Sequence, residues 1–195
     1  MDWLWKWDRD LFRLLHETGR REWLDPIMKL ITDTGLGHVQ GIVLLLLSIP
    51  RGIRPYALGC FAAGAFSGLV RLLIVRNIDR QRPSNFDFAT PFESVFGNTS
   101  FPSGHTTTTF AIAVMLAWML RGRDTAWVAW LVFGWAVLVA ISRVYVGVHY
   151  PTDVLGAAFL GSAGGTLTWL YWVKRGWAED QAPSTENTPI ERNRS

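Results

Sequence analysis

Two apolar stretches joined by a short polar turn decide the architecture of this chain. The first is TAWVAWLVFGWAVLVAISRV at residues 125–144, and the second is TDVLGAAFLGSAGGTLTWLYWV at residues 152–173. Each has about 20 residues, the length that a helix needs to cross the hydrocarbon core of a bilayer. The connection YVGVHYP, at residues 145–151, leaves room only for a reversal of direction. The pair predicts two consecutive membrane-spanning helices that run in opposite directions.

Other apolar windows extend this pattern over most of the chain. They lie at residues 36–49, 55–75 and 101–120, and the first is short for a span unless it extends back toward Asp25 or the membrane is locally thin. Hydrophobic residues make up 49% of the 195 residues, and a globular protein of this length has little room for five helices that are apolar on every side. We predict an all-α membrane helix bundle of five spans, or six if residues 1–33 contain another.

The two ends of the chain are more polar. Residues 1–33 place Trp and Leu among Asp, Arg and Glu, which predicts amphipathic helices on the membrane surface, with packing against the bundle as an equal alternative. Residues 176–195 are rich in Glu, Pro, Ser, Thr and Asn, which predicts a disordered tail. We expect residues 1–175 to form one membrane-embedded domain, with residues 1–33 as its interfacial segment.

Charge and cysteine content exclude several classes of protein. The net charge of +3 is too small to predict nucleic-acid binding, and the single cysteine, Cys60, excludes an internal disulfide. Four histidines with few clustered acidic residues do not predict a metal site.

Polar, reactive side chains interrupt the apolar pattern at three places. These motifs are Arg82-Pro83, then Pro102-Ser103-Gly104-His105, then Ser142-Arg143 followed by His149 and Asp153. Arginine binds phosphate oxygens with two parallel hydrogen bonds, and histidine can act as a nucleophile or as a general acid. A carboxylate can hold a histidine in the required tautomer. The set is suited to phosphoryl transfer without a metal ion.

Chain reversals bring the three motifs to one face of the membrane. Arg82 follows the second apolar window, and Ser103 opens the third. Arg143 ends the fourth window, and Asp153 begins the fifth. Because short turns reverse the chain between consecutive windows, all three motifs return to the same side, which predicts a single site.

Each motif also has a purely structural explanation. Pro102 in the first turn of a helix would leave the next amides free to bind an anion, but Pro-Ser-Gly is also a common helix start. Arg143 suits a phosphate clamp, but an arginine near a span end also reaches the interface by snorkelling. Asp153 near a helix N-terminus offsets the helix dipole. Arg71, deeper in its span, is interpreted as snorkelling or paired within the bundle. The occurrence of all the motifs together favours the phosphate site.

Together the motifs resemble those of the type 2 phosphatidic acid phosphatase (PAP2) superfamily, over residues 76–165. The resemblance implies that His149 attacks phosphorus to form a phosphohistidine, that Asp153 orients it and that His105 protonates the leaving group. It also implies that phosphate is bound by Arg82, Ser103, Gly104 and Arg143. The family chemistry implies no metal ion and no other cofactor.

The first motif departs from the family pattern of Lys, six residues and Arg-Pro. The position seven residues before Arg82 is Val75, and the nearest cations are Arg76 and Arg80. We predict that Arg76 replaces the family lysine through a local shift of the helix; otherwise this phosphate ligand is missing.

The resemblance implies an integral-membrane lipid phosphatase. Undecaprenyl diphosphate is the favoured substrate, with phosphatidylglycerophosphate and phosphatidic acid as alternatives. A vanadium haloperoxidase would use similar residues, but the apolar windows argue against it. A non-catalytic protein that binds lipid phosphate would not need both His105 and His149. The expected partners are the lipid and the bilayer, with no nucleic acid and no obligate protein partner.

Arginine and lysine positions predict the orientation. Short segments on the face opposite the motifs carry six cations, which are Arg51, Arg54, Arg121, Arg123, Lys174 and Arg175. The positive-inside rule makes this face cytoplasmic, although cations in residues 1–33 weaken the bias. The sequence thus predicts an inner-membrane protein with an extracytoplasmic site and a cytoplasmic tail.

Overall fold

The computed structural model describes residues 2–92 and 99–177, and within these ranges the chain is helical with no β-strand. The α-helices are α1 (Asp2–Arg13), α2 (Asp25–Thr34), α3 (Gly37–Leu47), α4 (Arg54–Val75), α5 (Gly104–Leu120), α6 (Ala126–Tyr145) and α7 (Pro151–Lys174). A π-helical turn continues α1 over Leu14–Thr18, and a short 3-10 turn covers Pro83–Asn85. The predicted all-α class is confirmed. Most of the predicted disordered tail, residues 178–195, lies outside the described ranges.

Three helices in the described part of the chain are long and apolar enough to cross a membrane. They are α4 with 22 residues, α6 with 20 and α7 with 24. Helices α2 and α3 meet the same test together, as one span bent by 61°, and α5 is a shorter apolar helix of 17 residues. The structure therefore gives three or four spans by length and composition, and the count of five stays a prediction.

Helix α5 is the centre of the bundle and packs against α4, α6 and α7. Small residues on α7 allow a close approach of the two backbones. A Cβ atom on Gly165 would lie 2.6 Å from the carbonyl oxygen of Ala111 on α5. Lipid tails are as apolar as the helix surfaces, so the hydrophobic effect does not drive helices together in a membrane. Close backbone packing at small residues contributes to their association instead.

Gly165→Ala is therefore expected to destabilise the bundle, because the added methyl group would overlap a backbone atom that has no rotamer to change. Overpacking of this kind costs about 1–3 kcal/mol. The matched control is Gly134→Ala on α6, where an added Cβ meets nothing within 4 Å. Thermal unfolding in detergent should show a lower midpoint for Gly165→Ala only; equal midpoints for the two variants would contradict the packing argument.

The turn between α6 and α7 depends on a glycine and on a buried histidine. Gly147 has φ of +86°, which favours glycine, and a Cβ there would lie 2.6 Å from His16 Cε1. His16 follows α1 and is held by Tyr145 O, 2.8 Å from its Nδ1, and by Thr90 N, which donates to Nε2 over 3.1 Å. The N-terminal segment thus packs beneath the turn that carries His149.

Candidate active site

The second motif forms the beginning of helix α5. Ser103 is the N-cap, with an extended backbone at φ −63° and ψ 119°, and Gly104 and His105 form the first turn. Pro102 therefore precedes the helix, which corrects its expected place in the first turn. The reason is tertiary, because Arg71 Nε of α4 donates to the carbonyl oxygen of Pro102 over 3.1 Å and holds it outside. The helix N-terminus still opens toward the site, where its free amides and dipole favour an anion.

Arg143 lies in the last turn of α6 and is 2% exposed. Its Nη1 donates to Thr32 Oγ1 of α2 over 2.7 Å. Burial of a guanidinium is costly without partners, so this contact fixes the side chain in one place. Its neighbour Ser142 donates to Val139 O over 2.7 Å, which is a hydrogen bond to a carbonyl of the same helix.

Arg82 lies on the connection after α4, in an extended conformation imposed by Pro83. The side chain is 6% exposed, and its Nη1 donates to Val148 O over 3.2 Å. The same Nη1 lies 3.2 Å from His149 Nε2. The first motif is thereby brought against the third.

This contact assigns the tautomer of His149. A guanidinium has only donors, so Nε2 of His149 must accept, and the ring proton is left on Nδ1. Nδ1 faces Asp153, with 3.7 Å between Nδ1 and Oδ2. That is longer than a hydrogen bond, as catalytic contacts often are before substrate tightens them. The arrangement puts the lone pair on the nitrogen beside Arg82, where a phosphate would lie.

Burial also keeps the His149 ring neutral. It lowers the pKa of His149 to about 4, and the positive charges of Arg143 and Arg82 act in the same direction, while Asp153 opposes them. A neutral imidazole at pH 7 carries the lone pair that a nucleophile needs.

Asp153 is fully buried in the first turn of α7. Its Oδ2 accepts from the backbone N of Tyr150 over 2.8 Å and from Ser100 Oγ, and its Oδ1 accepts from Arg80 Nη1 over 2.5 Å. These donors fix the carboxylate next to the histidine ring. Arg80, one of the two cations considered for the first motif, thus lies behind Asp153.

Five of the motif residues line one cavity of about 830 Å³, whereas Ser103 and Asp153 do not line it. Both histidines line it, together with Arg82, Gly104 and Arg143. Ser103 is fully buried and accepts from Thr106 Oγ1 over 3.1 Å. Nε2 of His105 is buried with no hydrogen-bond partner in the described part of the chain. An unpaired ring nitrogen on a cationic cavity is suited to meet a substrate oxygen.

Arg76 does not take part in this arrangement. It is exposed at the C-terminal end of α4 and does not line the cavity, whereas Arg71 does. Five residues along a helix turn the side chain by about 140°, so the two arginines point to different sides. Sequence reasoning interpreted Arg71 as snorkelling or paired in the bundle. A charge inside a span is by itself a signal of function, and this signal could have pointed to Arg71.

If Arg71 contacts substrate phosphate, Arg71→Met should lower phosphate release by about 10- to 100-fold, the loss expected for one charge-assisted hydrogen bond of roughly 1.5–3 kcal/mol. Arg76→Met is the matched control and should keep the wild-type rate. Initial rates with a lipid phosphate in detergent would measure both. A larger loss for Arg76 than for Arg71 would favour the original placement of the family lysine.

Three further residues, all on α2, escaped sequence reasoning. Lys29 and Asp33 pair with each other on the cavity wall, and Thr32, which does not line the cavity, anchors Arg143. Nothing in the local sequence marks them, since their role follows from the bend that brings α2 over the site. Among the described residues, no group of three or more His, Cys, Asp and Glu side chains is placed to hold a metal ion.

Fold and site together define a class of protein: a helical membrane protein with a cavity at its span ends that is lined by arginines and histidines. Comparison with known proteins makes the class specific. A family model described as the PAP2 superfamily matches residues 55–177, and the chain belongs to this superfamily.

Several curated relatives carry phosphatase names. A lipid A 1-phosphatase of Rhizobium etli is 34% identical over 128 residues, which cover 63% of this chain and 53% of the relative. This chain thus spans about half the length of the lipid A 1-phosphatases it matches. Undecaprenyl-diphosphatase BcrC of Bacillus subtilis is 30% identical over 153 residues, or 76% of this chain and 75% of the relative.

A solved structure has the same fold. It is the transmembrane PAP2-type phosphatidylglycerolphosphate phosphatase of Bacillus subtilis, with a TM-score of 0.73 and 25% identity. The match covers 100% of this chain and 90% of that structure.

Proposed function

We propose that this protein is an integral-membrane lipid phosphatase that removes the terminal phosphate of a lipid phosphate or diphosphate through a phosphohistidine at His149. The observation that carries the proposal is the contact of Arg82 Nη1 with His149 Nε2, at 3.2 Å, on the wall of a cavity that His105 also lines. It sets a neutral nucleophile, a phosphate-binding cation and a second histidine around one space.

The first chemical step transfers the phosphoryl group to the protein. Arg82, Arg143 and the N-terminus of α5 hold the non-bridging oxygens and offset their negative charge. The lone pair on His149 Nε2 attacks phosphorus, and the bond from phosphorus to the leaving oxygen breaks, which is the lipid oxygen of a monophosphate or the bridging oxygen of a diphosphate. His105, protonated once the negative charge of the phosphate lies in the cavity, gives its proton to that oxygen, while Asp153 stabilises the positive charge that develops on the attacking ring.

The second step releases phosphate. Water attacks the phosphorus of phosphohistidine, and His105, now neutral, takes the proton of the water. The bond from phosphorus to Nε2 breaks, which returns His149 to its neutral form and leaves His105 protonated for the next turnover. His105 thus changes from acid to base within one cycle, while His149 carries the phosphoryl group between the two steps.

A lipid diphosphate is the favoured substrate class, and undecaprenyl diphosphate is its favoured member. Beyond the arginines at the reacting phosphate, the cavity wall carries Arg71 and His38, which would suit a second phosphate, whereas Lys29 on the same wall is paired with Asp33. The relative named undecaprenyl-diphosphatase supports the same choice. Phosphatidylglycerophosphate and phosphatidic acid are the alternative substrates, and binding of a lipid phosphate without turnover is the alternative from another class.

A substrate panel tests the proposal. Purified protein in detergent and EDTA would be given undecaprenyl diphosphate, phosphatidylglycerophosphate or phosphatidic acid, and released phosphate would be measured beside a His149→Ala control. We expect release to be fastest from the diphosphate and absent in the variant. No release from any lipid, with binding retained, would favour the non-catalytic alternative.

We further propose that the site is extracytoplasmic in the inner membrane. The expected result is that an impermeant maleimide, added to intact cells in a Cys60→Ala background, labels Asn85→Cys and spares Asp124→Cys. Both positions are exposed, the first on the connection near the site and the second on the turn after α5, at its other end. Lysed cells, in which both should react, are the control, and the reverse pattern in intact cells would overturn the orientation.

A further inference from the structure

Arg80 is held by several contacts next to Asp153, the residue that faces the candidate nucleophile His149. Its guanidinium lies 4.7 Å from the ring centre of Trp5 and 4.6 Å from that of Tyr150, so it is stacked between two aromatic faces. Its Nη1 donates to Asp153 Oδ1 over 2.5 Å and to Thr152 Oγ1 over 2.7 Å. The side chain is only 14% exposed. A guanidinium held on so many sides is fixed with respect to Asp153.

Asp8 of α1 is the second carboxylate at this guanidinium. It is 1% exposed and pairs with Arg80 Nη2. It also accepts from the backbone N of Thr152 over 2.9 Å and from Thr152 Oγ1 over 2.7 Å. Burial of a carboxylate is costly unless it is paired and hydrogen-bonded. Here the contacts tie α1 to the connection after α4, through Arg80, and to the first turn of α7, through Thr152. Arg80 therefore bridges two buried carboxylates, of which only Asp153 faces the histidine.

We propose that Asp8 and Arg80 are positioning residues for the phosphoryl-transfer site: they set how much negative charge Asp153 presents to His149, and they make the N-terminal helix part of the catalytic apparatus. The inference rests on the proposed function, since it concerns the nucleophile of that reaction. It assigns neither Asp8 nor Arg80 a contact with the substrate.

The charge balance gives the two residues opposite effects. Arg80 divides its positive charge between Asp8 and Asp153. Without the Asp8 charge, Arg80 neutralises Asp153 more fully, and Asp153 supports a positive ring on His149 less. Without Arg80, Asp153 is less compensated, and it supports a positive ring on His149 more.

The other charged and titratable groups around His149 do not change in these variants. They are Arg82 on the connection after α4, Arg143 on α6 and His105 on α5. Differences between the pH profiles of the variants therefore report on the negative charge that Asp153 presents to the His149 ring.

The test is the pH profile of kcat/KM for phosphate release, compared among variants with one lipid substrate. We expect Asp8→Asn to move the acid limb of this profile to lower pH and Arg80→Met to move it to higher pH, each by roughly 1 unit or less, because the charges act on His149 through Asp153. The double variant, which removes both charges, should return the limb toward its wild-type position. A role confined to folding would not give shifts of opposite sign.

The kinetic constants add a second readout. Both single variants should lower kcat by about 10- to 100-fold, as for other residues that hold a histidine through an intermediate group, with KM little changed because neither touches substrate. Asp8→Glu keeps the charge and should recover part of kcat.

Matched controls are Asp10→Asn on the same helix and Arg76→Met, both exposed. They should keep the wild-type limb and rate. If Asp8→Asn does not fold, Arg80→Met decides alone, and a limb that stays at the wild-type pH overturns the inference.

Failure of the inference is distinct from failure of the proposed function. The inference alone fails if wild type and Asp10→Asn release phosphate, His149→Ala does not, and the Asp8 and Arg80 variants match their controls. The proposed function fails if wild type releases no phosphate or His149→Ala releases it at the wild-type rate.

Discussion

His149→Ala is expected to lower phosphate release by roughly 10⁴- to 10⁶-fold, the range seen when the nucleophile of a covalent enzyme is removed. The ring nitrogen that Arg82 contacts is the nucleophile of the first step in the proposed reaction, and alanine leaves the cationic cavity without it. The measurement is the initial rate of phosphate release from a lipid diphosphate in detergent.

Trapping of the intermediate separates this prediction from a loss of binding. Rapid quenching of wild type with a radiolabelled substrate should leave acid-labile, base-stable phosphate on the protein, and His149→Ala should carry none. The variant should still bind the substrate, since Arg82 and Arg143 remain. Near-normal phosphate release by His149→Ala would rule out the covalent mechanism.

His105→Ala is expected to have the second largest effect, about 10²–10⁴-fold on turnover of a lipid phosphate, the usual worth of general acid–base help. His105 lines the cavity with an unpaired Nε2, where it can protonate the leaving oxygen. A nitrophenyl phosphate has a leaving group that needs little protonation, so its first step should be much less affected.

The two steps should therefore separate in this variant. Because His105 also activates water in the second step, His105→Ala with the nitrophenyl substrate should show a burst of nitrophenol and accumulate phosphohistidine. Wild type serves as the control without accumulation. An equal loss for both substrates, with no burst, would show that His105 does not act on the leaving group.

The helical class followed from the sequence because a bilayer permits few solutions. An apolar run of about 20 residues must satisfy its backbone internally and becomes a helix. The windows at residues 55–75, 125–144 and 152–173 accordingly match α4, α6 and α7 to within one residue at each end. The bent pair α2 and α3 was harder to predict from the sequence, because its two helices meet the criteria for a membrane span only when they are taken together.

The convergence of the motifs also followed from the sequence. Each motif lies at the end of a span, and short turns reverse the chain, so span ends on one side must meet. The structure places His105, His149, Arg82 and Arg143 on one cavity. Their chemical roles stay predictions until the variants are measured.

The sequence by itself determined the membrane helices, the motifs and their common face, because segment length and the spacing of turns are local properties of the chain. Only the tertiary structure decided which arginine faces the cavity, since the rotation of α4 about its axis, set by its neighbours, separates Arg71 from Arg76. It alone brought Asp8 to Arg80 and Thr32 to Arg143, pairs that lie 72 and 111 residues apart. Burial of these charged groups is costly unless each finds a partner, and the partners meet only because α1 and α2 pack over the ends of the spans.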